Sequence, residues 1–197
     1  GFGGHFHNDN SLAVFRDIPG VILAVPSHGA DAVKMLRTCM ELAWEKGRVV
    51  VFVEPIALYM TRDLNAEGDK AWAFTYPKPD EKIKLGEFGV WGSSKELTIV
   101  TYGNGTYYSR QAAQILADKH QIKTKIIDMR WLTEIDRAAL VAEIGDCPHV
   151  LIVDECRKTG SWSEWMCGLL LEECARVPRV KVVTADDCFI PLGKAAA

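Results

Sequence analysis

The stretch VILAVPSHGADAVKMLRTCMELAWEKGRVVVFVEP, residues 21–55, decides the fold. It holds two continuous apolar runs, Val21-Ile22-Leu23-Ala24-Val25 and the segment 48–53, with an amphipathic interval between them. Short runs rich in Val and Ile mark strands covered on both faces, which is the situation in a parallel sheet. Pro26-Ser27 stops the first run. The interval 29–44 then sets Ala32, Val33, Leu36, Met40 and Ala43 at helical spacing, which predicts a helix with that stripe toward the core. Strand, helix and strand of these lengths make one right-handed β-α-β crossover, with Glu54-Pro55 at the carboxyl end of its second strand.

Outward from this unit, the pattern dissolves over 57–84 into Asn65, Gly68, Asp69, Pro77, Pro79 and several charges, which reads as a long exposed connection. A boundary there divides the chain into domains 1–80 and 81–197. In the second part, 86–91 and 97–102 read as strands, 107–119 as a helix opening at Gly103-Asn104-Gly105-Thr106, and 124–129 as a strand. A helix over 136–144 with Asp136 as N-cap, a strand over 149–153, a helix over 161–176 and a strand over 180–184 complete the series. The expectation is an α/β fold of two doubly wound, mostly parallel sheets. Along 161–176, Trp162, Trp165, Met166, Leu169, Leu170 and Cys174 form a stripe that serves either as an interface or, preferentially, as core.

Composition excludes several classes of function. The chain has 197 residues, 48% apolar and 25% charged, enough to bury a core. Twenty-three Lys and Arg against 26 Asp and Glu leave a net charge of -3 and no basic stripe for nucleic acid. The longest apolar run, Val49-Val50-Val51-Phe52-Val53, is far short of the roughly 20 residues that cross a bilayer. Cys39, Cys147, Cys156, Cys167, Cys174 and Cys188 contain no C-x-x-C pair and read as reduced core thiols. The start has no initiator Met and no signal-peptide pattern, so both ends read as cuts through a longer protein.

Ligands of open α/β sheets bind outside the carboxyl ends of the strands. Glu54, 103–106, Asp128 with Arg130, and Asp154 with Glu155 all fall there. The plainer reading is that these carboxylates cap helices or pair with Arg130, Arg157 and Lys158. Gly103-Asn104-Gly105 lacks the third glycine of a dinucleotide loop, since Tyr108 stands in its place, and reads rather as a tight turn with free amides. The densest polar chemistry is His5-Phe6-His7-Asn8-Asp9-Asn10, a glycine-led loop. An imidazole there suits proton transfer, because it titrates near neutrality. A zinc site of the His-x-His-x-Asp kind is the rival and needs further ligands from His28, His120 or His149. A solvated surface loop is the plainest alternative.

In order and spacing the segments resemble the β subunit, or β-like half, of the thiamine-diphosphate-dependent E1 component of 2-oxo acid dehydrogenase complexes, within the transketolase-like group. The resemblance runs through Gly3-Gly4-His5-Phe6-His7, Ile18-Pro19-Gly20, Val25-Pro26-Ser27, Asp31-Ala32 and Val51-Phe52-Val53-Glu54-Pro55 with Leu58-Tyr59. It continues through Gly86-Glu87-Phe88-Gly89, 98–103, Ile127-Asp128-Met129-Arg130-Trp131-Leu132, Val153-Asp154-Glu155, Thr159-Gly160-Ser161 and Asp186-Asp187. It implies that 1–80 is the back part of a pyrimidine-binding domain and 81–197 a transketolase-like C-terminal domain. It also implies decarboxylation of a 2-oxo acid and reductive acylation of the lipoyl group of E2.

His7 matches the family's active-site loop histidine and is the implied catalytic residue, able to orient the substrate and supply a proton. His5, Asn8 and Asp9 are the implied substrate-loop residues. His5 replaces a common Pro, and Asn8-Asp9 replaces the more usual Ser-Gln. The cofactors implied are thiamine diphosphate and magnesium, held largely by residues outside this chain. The partners implied are an E1 α subunit or α half and the E2 acyltransferase in an oligomer, located in the cytoplasm or the mitochondrial matrix. The isolated chain is expected to be inactive. No metal is expected on its own residues, and Glu45-Lys46-Gly47-Arg48 argues against the monovalent cation some relatives hold nearby. A transketolase-like two-carbon transferase and a non-catalytic assembly module are the alternatives.

Overall fold

The structure is a computed structural model and describes residues 10–189. One helical turn, α1 (Ala13–Arg16), leads into strand β1 (Val21–Ala24). Helix α2 (Gly29–Lys46) crosses back to β2 (Val49–Phe52), which pairs with β1 in parallel, Val21 opposite Val49 and Ala24 opposite Phe52. Gly47 ends α2 in the left-handed conformation at φ 60°, which a Cβ would disfavour, and its N–H bonds to the Leu42 carbonyl.

The buried face of α2 differs from the expected one. Asp31, Met35, Thr38 and Cys39 are buried, whereas Leu36 is 45% and Met40 61% exposed. One residue along a helix is a rotation of about 100°, so the face under the sheet lies that far round from the apolar stripe. Met35 and Cys39 pack with Ile22, Ala24, Ile83 and Trp131. Thr38 donates to the Ile83 carbonyl at 2.7 Å, and Arg37 bonds the carbonyls of Pro77, Lys78 and Glu81. The segment 77–83 therefore selects the buried face.

That segment belongs to the stretch expected to be an exposed connection. After a 3-10 turn (Ile56–Leu58), it buries Leu64, Trp72 and Ile83. Its turns are organised by carboxylates: Asp69 accepts from the amides of Leu64, Asn65, Ala66 and Ala71, and these four bonds hold its pKa far below the usual range. Asp63 accepts from Gly68 and Lys70. Charged residues here fold the loop instead of merely solvating it.

The second sheet contains β3 (Gly89–Trp91), β4 (Leu97–Thr101), β5 (Thr124–Asp128), β6 (His149–Arg157) and β7 (Arg179–Ala185), in the order β3-β5-β4-β6-β7. All neighbours are parallel except β3, which runs antiparallel to β5. Helices α3 (Asn104–His120), α4 (Arg137–Ile144) and α5 (Trp162–Glu173) make the crossovers. Asp136 caps α4 as expected, accepting from Ala139 N at 3.0 Å. Trp162, Met166, Leu169 and Leu170 of α5 are buried in the main core with Tyr102, Ile127 and Ile152, which settles that stripe as core. The chain is thus a mixed α/β fold with parallel-dominated sheets.

Segment 130–133 ties the two sheets together. Trp131 forms an antiparallel bridge with Ala24. Leu132 N donates to Leu23 O, and Thr133 Oγ1 accepts from Leu23 N and donates to Val21 O. Among the described residues the cysteines are unpaired; Cys39, Cys147 and Cys156 are buried, but Cys188 is exposed and is no core thiol. No described helix is long and apolar enough to cross a membrane.

Candidate functional site

The carboxyl ends of β1 and β2 open onto a groove of about 420 Å³. Its polar lining includes Ser27, His28, just before α2, Glu54, just after β2, and Thr61; Leu58, Tyr59, Trp72 and Phe74 supply the aromatic and apolar wall. Phe74 lies against Gly29, where a Cβ would overlap its ring. The ring of His28 meets Trp72 and Phe74 edge-on, with centroids 5.2 and 5.3 Å away. His28 Nε2 lies 3.2 Å from the Trp72 carbonyl. A carbonyl only accepts, so this contact places the proton on Nε2 and leaves Nδ1 an acceptor. Burial is the main reason that the His28 pKa is lowered from 6.5, with Asp31 opposing it, so the ring is neutral at pH 7. Glu54 Oε2 accepts from Tyr59 Oη at 2.6 Å, which raises the Tyr59 pKa.

Behind the groove a polar seam joins the two sheets. Ser27 Oγ donates to Asp128 Oδ1 at 2.8 Å and lies 3.0 Å from Thr106 Oγ1, at the start of α3. Asp128 is fully buried, and its Oδ2 has no hydrogen-bond partner among the described residues. Burial, opposed by Arg130 and Ser27, raises its pKa to about 6. The side chain of Arg130 turns instead to Asp31, with contacts of 2.8 and 2.9 Å, and to Glu87 at 3.7 Å.

A second polar centre lies where β4 and β6, adjacent in the sheet, send their chains in opposite directions. Such a switch point is where open α/β sheets bind ligands. Here it is filled by protein. Asp154 accepts from Tyr102 Oη at 2.5 Å, Cys156 N at 2.9 Å and Ser163 N at 2.8 Å. Burial, then Asp154, drives the Tyr102 pKa far up. Asp154 thus caps α5 and, among the described residues, forms no ion pair with Lys158, and Glu155 bonds Asn104. Asn10 Oδ1 accepts weakly from Cys156 Sγ at 3.5 Å.

Of the residues singled out in the sequence, Glu54 lines the groove, Asp128 lies in the seam behind it, and Asp154 is held in the separate centre at the switch point. His5, His7, Asn8 and Asp9 lie outside the described residues. Among the described residues, no three His, Cys, Asp or Glu side chains converge on a metal position. Sequence reasoning considered His28 only as a metal ligand and overlooked Trp72 and Phe74. The available signal was aromatic: two large rings stand in an otherwise polar stretch.

Residues 87–196 match the family model described as transketolase, C-terminal domain. The chain belongs to the transketolase C-terminal domain family. Beyond this domain, it is 26% identical over 174 residues to the mitochondrial 2-oxoisovalerate dehydrogenase subunit beta of Dictyostelium discoideum, covering 88% of this chain and 43% of that one. It is 27% identical over 180 residues to the corresponding subunit of Pseudomonas aeruginosa, covering 88% and 49%. It is 24% identical over 196 residues to the pyruvate dehydrogenase E1 component subunit beta of Staphylococcus epidermidis, covering 95% and 56%. A solved structure described as a split gene transketolase, inactive beta4 tetramer, superposes with a TM-score of 0.68 at 25% identity, covering 95% of this chain and 56% of that chain. The chain spans about half the length of these relatives. Within the transketolase family context, the curated relatives are thus E1 β subunits of 2-oxo acid dehydrogenases.

Proposed function

We propose that this chain is part of a 2-oxo acid dehydrogenase E1 component that decarboxylates a 2-oxo acid with thiamine diphosphate and reductively acylates the lipoyl group of E2. The supporting observation is the reach of the similarity. It covers 88–95% of the chain in alignments with E1 β subunits and so extends upstream of the domain matched at 87–196. In this reading 1–80 is pyrimidine-domain chain and 81–197 the C-terminal domain.

Thiamine diphosphate needs ligands for a magnesium diphosphate and a surface for its ring system. The described residues offer no converging metal ligands, so they do not fit the magnesium diphosphate end. The reading assigns that end to an E1 α partner. When bound in the assembly, the cofactor supplies the electron sink for loss of the carboxyl group. From this chain, His7 is proposed to hold the substrate oxygen and donate a proton to it, with His5, Asn8 and Asp9 shaping the substrate loop.

The test is the complete assembly with E1 α and E2. His7→Ala should lower 2-oxo acid decarboxylation by about 100-fold or more while the subunits still co-elute. Unchanged turnover would remove the proposal. Two-carbon transfer between sugars is the second reading, favoured by the split-gene transketolase neighbour; turnover of a ketose phosphate instead of a 2-oxo acid would select it. The isolated chain should bind no thiamine diphosphate with magnesium at micromolar concentration.

A further inference from the structure

At the amino-terminal ends of β4 and β5 lies a groove of about 770 Å³ between α3 and the β3–β4 connection, and the ring of its Trp91 reaches that of His28, with centroids 6.5 Å apart. Its wall includes Arg110, from α3, and Trp91, the last residue of β3. The Arg110 guanidinium lies over the Trp91 ring, 4.0 Å from its centroid, and 5.2 Å from that of Trp72. It is half-buried, and burial lowers its pKa. Among the described residues it makes no ion pair and no hydrogen bond.

A guanidinium carries five N–H donors in a planar fork that matches an oxyanion. Stacking on an indole satisfies the face of the cation but none of these donors. The same groove is lined by Lys95 and Lys123, which have no carboxylate partner among the described residues, while Glu96 is its one lining carboxylate. Glu96 Oε2 accepts from Lys123 N. Three cations against one anion gather here on a chain whose net charge is -3. The volume lies within the range of small-molecule sites and exceeds what a bare ion needs.

We propose that this groove binds a small phosphorylated molecule, with the phosphate on the Arg110 fork, flanked by Lys95 and Lys123, and the rest of the ligand along Ala113 and Ala117. Trp91 fixes the plane of the guanidinium, so little side-chain entropy is lost when the anion docks. The assignment needs no cofactor chemistry.

The test is titration of the protein with inorganic pyrophosphate at low ionic strength and without magnesium, followed by calorimetry and by tryptophan fluorescence. Expected are saturable one-to-one binding with a dissociation constant below about 1 mM, weakening as salt is added, and a fluorescence change at the same midpoint. Arg110→Met retains the aliphatic cover of Trp91 and should weaken binding at least tenfold. Lys95→Gln with Lys123→Gln alters only exposed side chains and should weaken it at least threefold, so a folding defect in the first variant leaves the claim testable. Absence of saturable binding, or binding that survives both substitutions unchanged, would overturn the proposal.

Discussion

Replacing Asp128 with Asn isolates the electrostatic cost of the seam between the two sheets. The carboxylate is 1% exposed, with Oδ1 bonded to Ser27 and Oδ2 without a hydrogen-bond partner among the described residues. Its pKa is about 6 in the folded protein against 3.8 for an unperturbed Asp. Between those values the folded state keeps a proton that the unfolded chain has released. Stability from this group is therefore present below pH 3.8 and is lost as pH rises through about 6. The interval corresponds to about 3 kcal/mol. Asn keeps an acceptor for Ser27 and carries no charge at any pH. Its amide N–H would lack an acceptor, costing about 1–3 kcal/mol, but equally at every pH. The change in the wild-type-to-variant difference is thus the quantity to measure. Urea denaturation of both proteins from about pH 4 to pH 8 should show Asp128→Asn gaining about 2 kcal/mol on wild type across that range. A difference constant to within about 0.5 kcal/mol would refute the assignment of a buried, unsatisfied charge.

Tyr102→Phe should cost about 1.5–3 kcal/mol in denaturant unfolding, because it removes the phenol bonded to buried Asp154; a cost under about 0.5 kcal/mol would show that this bond contributes little. His28 should titrate below 6.5 by NMR, so that wild type loses stability relative to His28→Gln as pH falls below 6.5; a midpoint at or above 6.5 would contradict the buried neutral imidazole. Gly105→Ala should destabilise the protein, since the added Cβ overlaps Thr101 Oγ1. Thr101→Ala should recover much of that loss in the double variant, and additive costs would place the strain elsewhere.

The alternation of strands and helices was legible because apolar runs and helical spacing are local properties. The strands at 21–25, 97–102 and 124–129 and the Asp136 cap appear within a residue of their expected limits. The α2 stripe was misjudged because an amphipathic pattern ranks faces by polarity, whereas burial follows the available partner: Ile83 and the carbonyls of 77–81 lie over Thr38 and Arg37. The loop before β3 looked solvent-exposed because its Asp residues bond their own backbone, and a composition count does not distinguish that from a carboxylate facing water. Glu54 was identifiable from its place after a strand. His28 was not, since its environment depends on Trp72 and Phe74, more than forty residues later.

By itself the sequence determined the class of fold, the parallel character of the main sheet and the family resemblance, because periodicity, β-branched runs and motif order are written along the chain. Only the tertiary structure decided that 130–133 lies against β1, that Ser27 meets Asp128, and that Arg110 stands on Trp91 without a counter-ion among the described residues. These contacts join residues 19 to 112 positions apart, and their energies depend on burial and angle, which no local pattern encodes.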